Sequence, residues 1–231
     1  MQIVGDEEWI AARRELLVEE KAFQAQSDEL ARKRQALPWR CVEAQYVFEG
    51  AGGQCTFSEL FDGSSQLIVY HFMFHPEWED GCKSCSFWAD SFDRSIEHLR
   101  ARDAAMVAVS RAPFAKLMAY QRRMGWTFPW LSSFGSQFNT DFNVSFTPDM
   151  LRAGSASYNY VDGASVGEEM PGISVFVKVD ETIYHSYSTF SRGIDPFNAT
   201  YQFLDIVPMG RDEAGLNYPM EWLRRRGEYS G

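Results

Sequence analysis

The spacing of apolar residues changes along the chain, and each change marks an element. From Asp6 to Leu37 a large apolar residue falls every seventh position, at Trp9, Leu16, Phe23, Leu30 and Leu37, with Ile10 and Leu17 beside the first two. The positions between are largely charged or small, which predicts a helix or helical pair with a narrow apolar stripe. One apolar residue per heptad is thinner than a coiled-coil seam, which needs both a and d positions. The stripe suits an arm, residues 1–38, lying on its own domain or on a second subunit; the latter would be a homodimer through the N-terminal helix. Pro38 ends the segment.

Beyond Pro38 the pattern shortens. Two short β patterns flank a Gly-rich turn between Tyr46 and Phe57, predicting a hairpin, and Ser58 to Gly63 reads as a helical turn closed by glycine. The apolar run Gln66–Phe74 predicts a buried central strand. A helical pattern follows to about Arg100, then a second short buried strand at Ala105–Ser110 and a helix over Pro113–Met124 that stops at Gly125. Trp126–Leu131 is extended. Ser132 to Gly167 is rich in Ser, Asn, Gly and Phe and reads as an insertion, residues 132–168, of the kind that forms a lid. Ile173–Val179 and Thr182–Tyr187 predict a hairpin turning at Asp180-Glu181. A last helix is predicted over Pro196–Leu204. A polar tail, residues 209–231, has a short helical pattern at Met220–Arg226. Strands separated by helices give βαβ units, so residues 39–208 form one α/β domain with a central mixed sheet flanked by helices.

Composition narrows the partners. The 231 residues carry 22 basic and 32 acidic side chains, a formal charge of −10, which argues against nucleic acid and anionic membrane surfaces. No basic region precedes an apolar core at the N-terminus, and no apolar run approaches the ~20 residues of a spanning helix. A cytoplasmic location is expected, in which the sequons at Asn143 and Asn198 carry no meaning. Four cysteines are too few for a disulfide scaffold. In a reducing compartment a CxxC points to catalysis or metal binding.

That CxxC is Cys82-Lys83-Ser84-Cys85, set between the Gln66–Phe74 strand and the helix after it. Cysteines three apart on a first helical turn share a face, close to disulfide geometry. The helix N-terminus favours the thiolate of the first. Cys82 is the candidate nucleophile and Cys85 the resolving thiol, working through a redox-active disulfide with no other cofactor. His75, Glu77, Glu79 and Asp80 make the approach loop acidic; Lys83 opposes them. Trp78 is a candidate substrate contact or simply a packing residue. Arg111, past the second strand, would stabilise a thiolate or bound anion, or else form a salt bridge. Cys41 and Cys55 stand alone.

The order of parts resembles the thioredoxin fold, and within it the branch of peroxiredoxins and thiol-disulfide reductases. Val107-Ala-Val-Ser110 resembles that branch's "VGVS" strand, and Gly125-Trp-Thr-Phe-Pro-Trp-Leu-Ser132 its "G-x-x-F-P-x-L-x-D" segment. More finely, "LPWRCVEAQYVFEG", "LIVYHFMFHPEWEDGCKSCSFWAD", "VAVSRAP", "MGWTFPW" and "MPGISVF" are similar to the bacterial domain of unknown function 899 family, which has no established reaction. The resemblance implies a cis-proline at Met170-Pro171, beside the active site, in a loop whose backbone pairs with an extended substrate. It puts His71 where many thioredoxins keep a buried acid, so His71 is either a general base for Cys85 or a core histidine. The peroxiredoxin pattern P-x-x-x-T-x-x-C is not met by Pro76 to Cys82. The leading reading is a thiol-disulfide oxidoreductase acting on a protein or small-molecule disulfide or thiol, with an unidentified electron donor. The alternatives are a metallochaperone holding Cu(I) or Zn(II) on Cys82, Cys85 and His185, and a binding protein that keeps the fold without turnover.

Overall fold

A computed structural model describes residues 2–229. It divides into two compact units, residues 1–39 and 40–231. The first is a single unbroken helix, α1 (Asp6–Gln35), not a pair. Asp6, Glu7 and Glu8 occupy its first turn and Arg32, Lys33 and Arg34 its last, each sign complementing the helix dipole. No residue of α1 is buried.

The second unit is built on an eight-stranded sheet. Its strands are β1 (Arg40–Cys41), β2 (Val47–Gly50), β3 (Gly53–Thr56), β4 (Gln66–His71), β5 (Ala104–Ser110), β6 (Trp130–Ser132), β9 (Gly172–Val179) and β10 (Thr182–Phe190), in the order β1-β10-β9-β4-β5-β6-β2-β3. β4, β5 and β6 run parallel, whereas β9 pairs antiparallel with β4 and with β10. Two parallel strands with a helix between them, followed by an antiparallel hairpin on the other flank, make a thioredoxin-like fold. β4 and β5 are covered on both faces, which is why they read as continuous apolar runs.

Strand parity sorts the core into two layers. Ile68, Tyr70 and Phe72 face the helices α2 (Lys83–Phe92) and α4 (Phe114–Met124), with Trp126, Phe128 and Trp130 in the same layer. Leu67, Val69 and Phe176 face the opposite layer, with Phe48, Phe57, Phe138 and Phe142.

Three local expectations change. The helix after the dithiol is broken: α2 ends at Phe92 and α3 (Ile96–Arg100) begins after it. Between them the buried Asp93 carboxylate accepts the N–H groups of Thr127 (2.7 Å) and Phe128 (3.2 Å). Those bonds hold 127–128 out of the sheet, so β6 starts only at Trp130. Residues 132–168 are not shapeless: they contain α5 (Phe138–Asp141), α6 (Pro148–Ala153) and a small hairpin of β7 (Ser157–Tyr158) and β8 (Val161–Asp162). Finally, the polar tail is not peripheral. After a 3-10 segment (Ser191–Phe197) and α7 (Ala199–Leu204), Leu223 is 0% exposed, and Met220 and Trp222 pack on the dithiol-side core. Met220–Arg226 forms turns, not a helix.

Candidate active site

β4 delivers the chain to a loop that returns at Gly81, and Cys82 caps the N-terminus of α2. The Cys82 N–H donates to the Met73 carbonyl at 3.1 Å, tying the start of the motif to the strand end. Cys85 lies one turn on and is 2% exposed, with the Met73 N–H 3.4 Å from its sulfur. Both thiols are free.

The two sulfurs are electrostatically unequal. Hydrogen bonding from the Cys85 thiol lowers the Cys82 pKa to about 6; burial opposes the shift, and the N–H groups of Cys85 and Ser84 with the Ser84 hydroxyl reinforce it. Burial pushes Cys85 well up, and its bond to Cys82 adds to the rise. One thiolate beside one protonated thiol is the starting state for stepwise thiol chemistry. The acidic approach loop does not cancel this arrangement. Asp80 is paired with Arg123 (2.8 Å) and Arg225 (3.5 Å), and Lys116 Nζ donates to the carbonyls of Pro76 (2.7 Å) and Trp78 (2.9 Å).

Cys82, Cys85, Met170, Pro171 and Trp78 gather on this side of the sheet. Met170 and Pro171 line a 180 Å³ cavity together with Tyr70, Met73, Cys85 and Trp88. Trp78 packs on the same core, its ring 6.1 Å from that of His75. The expected cis bond is not present: every peptide bond among the described residues, including Met170–Pro171, is trans. Nor is the loop's backbone open to an extended substrate. The Met170 N–H donates to Val144 O at 2.8 Å, and the Pro171 carbonyl accepts the Tyr158 hydroxyl at 2.7 Å. Both partners, Val144 and Tyr158, come from residues 132–168, a role that the irregular composition of that segment conceals.

Arg111 is committed to Glu169. Its guanidinium pairs with that carboxylate, which is 3% exposed and also accepts the Ser145 hydroxyl at 2.7 Å. Burial raises the Glu169 pKa and Arg111 holds the rise in check. Removing the cation strands a buried carboxylate. Arg111→Met is therefore expected to cost about 3–5 kcal/mol by chemical denaturation at pH 7. A loss below about 1 kcal/mol would mean that the pair is merely a solvated contact.

His71 and His185 lie elsewhere. Parity places His71 on the face opposite the dithiol, stacked on Phe142, with its Nε2 2.8 Å from Ser174 Oγ. A core histidine is what the geometry offers; a base for Cys85 it is not. The residue that meets Cys85 is its neighbour Tyr70, whose hydroxyl donates to the Cys85 carbonyl at 3.3 Å. Alternation of side chains along Gln66–Phe74 carries this distinction, since Ile68, Tyr70 and Phe72 share one face. His185 also packs on the far layer, against Phe142 and Phe176, with Nε2 2.7 Å from Ser188 Oγ. It cannot complete a site with Cys82 and Cys85. Among the described residues no group of three or more His, Cys, Asp and Glu converges as a metal site. Cys41 is exposed and Cys55 half-buried, both remote from the motif's hydrogen bonds. No helix among the described residues is long and apolar enough to cross a membrane.

Comparison with known proteins gives one family and a set of distant structures. The family model described as "Bacterial protein of unknown function (DUF899)" matches residues 1–229. No protein of curated function matches. Among solved structures, peroxidoxin BcpB from Mycobacterium tuberculosis is 15% identical with a TM-score of 0.48, over 71% of this chain and 95% of that one. The bacterioferritin comigratory protein of Xanthomonas campestris, studied for alkyl peroxide reduction, is 13% identical with a TM-score of 0.47, covering 72% and 94%. A mutant of PrxQ from Xylella fastidiosa is 14% identical with a TM-score of 0.44, covering 68% and 89%.

Proposed function

Because the chain belongs to the DUF899 family of bacterial proteins of unknown function, we propose its chemistry from the site itself: a thiol-disulfide oxidoreductase that acts on small-molecule disulfides through Cys82 and Cys85. The observation that carries this reading is the placement of two free cysteines on one helical turn, Cys82 at the N-terminus of α2 and Cys85 buried behind it; the lowered pKa of the first and the raised pKa of the second agree with it.

In the forward direction the Cys82 thiolate attacks one sulfur of a disulfide RSSR. A Cys82–SR bond forms, the RS–SR bond breaks, and RS⁻ leaves to take a proton from water. Cys85 then loses its proton and attacks the Cys82 sulfur, forming the Cys82–Cys85 bond and releasing the second RS⁻. The substrate gains two electrons and two protons, and the dithiol becomes a disulfide. A second thiol, of identity outside this chain, returns the two electrons.

The preference for a small substrate rests on the loop opposite the motif. Its Met170 N–H and Pro171 carbonyl are already paired within the protein, so an extended peptide has no strand edge to join there. A binding protein without turnover would leave the acidity of Cys82 without purpose.

The test counts thiols. Mild oxidation of the reduced protein should remove two free thiols of the four, and Cys82→Ser should abolish that loss. Cys85→Ser should instead accumulate a mixed disulfide, visible by mass, with a small disulfide more readily than with an unfolded protein disulfide. Retention of all four thiols under oxidation would sink the reading.

A further inference from the structure

The C-terminal segment reaches the dithiol from outside the βαβ core. It is anchored first. Glu213 Oε1 accepts from the Tyr201 hydroxyl (3.1 Å), the Met220 N–H (3.0 Å) and the Trp222 indole (2.8 Å). Trp222 meets the α2 ring of Phe87 edge-on at 5.7 Å, and Leu223 is fully enclosed. Arg226 then bonds to the Met124 carbonyl. Between these anchors Arg225 has little freedom.

Its guanidinium points into the loop before the motif. Arg225 Nη2 donates to the Gly81 carbonyl at 3.0 Å, and Nε donates to the Tyr120 hydroxyl at 2.7 Å. That hydroxyl lies 3.3 Å from the same Gly81 carbonyl and 2.8 Å from Ser86 Oγ. Ser86 Oγ in turn donates to the Cys82 carbonyl at 2.9 Å. The consequence is geometric. Gly81 O belongs to the peptide group before the Cys82 Cα, and Cys82 O to the one after it. Both peptide planes are pinned, so the direction of the Cys82 side chain is pinned with them. The loop has no slack to compensate, because a Cβ on Gly81 would come within 2.8 Å of the Phe72 ring and 3.2 Å of the Tyr120 ring.

We propose that Arg225 is a positioning residue of the dithiol site, acting through Gly81, Tyr120 and Ser86 to hold Cys82 over the first-turn donors of α2. The proposal rests on Cys82 being the working thiol of the function given above, but its test does not need turnover. The groups facing this loop include Asp80, Arg123, Lys116, Tyr120 and Arg225 with its partner Glu228 on one side, Cys85 and Tyr70 on the core side, and Lys83 with Glu221 at the helix start. Among them Arg225 and Tyr120 are the ones bonded to the peptide that enters Cys82.

The experiment measures the rate at which iodoacetamide alkylates Cys82 in the reduced full-length protein as a function of pH, read from the mass of the peptide that contains it. Arg225→Ala should move the midpoint upward by about one pH unit, cutting the thiolate fraction at pH 6 roughly fivefold, as the thiolate loses its aligned donors. Arg225→Lys should recover part of the shift, since a single ammonium can still reach Gly81 O. Tyr120→Phe removes the bridging hydroxyl, keeps the ring, and should shift the midpoint the same way; it carries the test if Arg225→Ala does not fold. Arg152→Ala, on the surface of α6, should leave the profile unchanged. Unchanged midpoints in folded Arg225→Ala or Tyr120→Phe would overturn the proposal and leave Arg225 a packing residue. A shifted midpoint in a protein that forms no Cys82–Cys85 disulfide would uphold the positioning role and refute the oxidoreductase reading instead.

Discussion

Cys82→Ser is expected to lower the rate of disulfide exchange by at least about a thousandfold, because the other thiol of α2, Cys85, is buried and its pKa raised, which keeps it from replacing the nucleophile. Magnitudes show what its acidity is for. At pH 7 a thiol of pKa 8.5 is about 3% ionised and one near 6 about 90%, a gain of about thirtyfold in thiolate. Nucleophilicity falls as the pKa falls, with a slope near 0.4–0.5, so the same shift loses roughly tenfold in intrinsic reactivity. The net gain in attack is only a few-fold. The larger benefit is to Cys82 as a leaving group, when an outside thiol reopens the Cys82–Cys85 bond. A stabilised thiolate also favours the reduced form, which raises the reduction potential. Equilibration with glutathione buffers should place the pair between about −270 and −120 mV, the values of thioredoxin and DsbA, whose thiols are respectively less and more acidic than pKa 6. A potential below that range would contradict the acidity of Cys82.

The second large effect is on stability in acid, and it comes from the opposite face of the sheet. Burial lowers the His71 pKa to about 3, with the neighbouring His185 acting in the same direction. A histidine whose folded pKa is depressed binds a proton in the unfolded chain first. Its stabilising contribution is complete above the unfolded value near 6.5 and is lost as pH falls towards the folded one. The slope is about 1.4 kcal/mol per pH unit, so by pH 4 roughly 3 kcal/mol should be gone. Glu169 works in the reverse sense: its raised pKa makes the folded state the better proton binder, so its contribution is lost as pH rises. Comparing His71→Gln with the native protein isolates the histidine, since the Gln amide can still reach Ser174. Urea denaturation between pH 6 and 4 should show a flatter profile for the variant. Equal slopes would mean that His71 is already charged in the folded protein.

The sheet was legible because its period is simple. Gln66–Phe74 and Ala105–Ser110 are largely apolar on both faces and too short for a buried helix, the pattern of strands covered on both sides. Cys82 and Cys85 were legible because local spacing on a helix puts them together. What could not be read depends on contacts distant in sequence. The role of His71 turned on parity: a one-residue step exchanges it with Tyr70 across the sheet. Asp93, at the break between α2 and α3, bonds to Thr127 and Phe128, more than thirty residues away in sequence. The contacts that hold Met170 and Pro171 come from the Val144 carbonyl and the Tyr158 hydroxyl, which no local spacing brings to them. The tail looked polar because its anchors are spread thinly: Met220, Trp222 and Leu223 sit among charges that point outward or into the loop.

The placement of that tail also orders events during synthesis. Domains begin folding from their N-terminal side while the rest of the chain is still being made, and Arg225, which donates to the Gly81 carbonyl, is added after every strand and helix of the sheet. A nascent chain can therefore assemble β4, α2 and β5 with both thiols in place while the entrance to Cys82 is still loose. Until Arg225 arrives, the Gly81 carbonyl has Tyr120 as its side-chain partner, and the last restraint on the peptide that enters Cys82 is added after the fold that displays the dithiol.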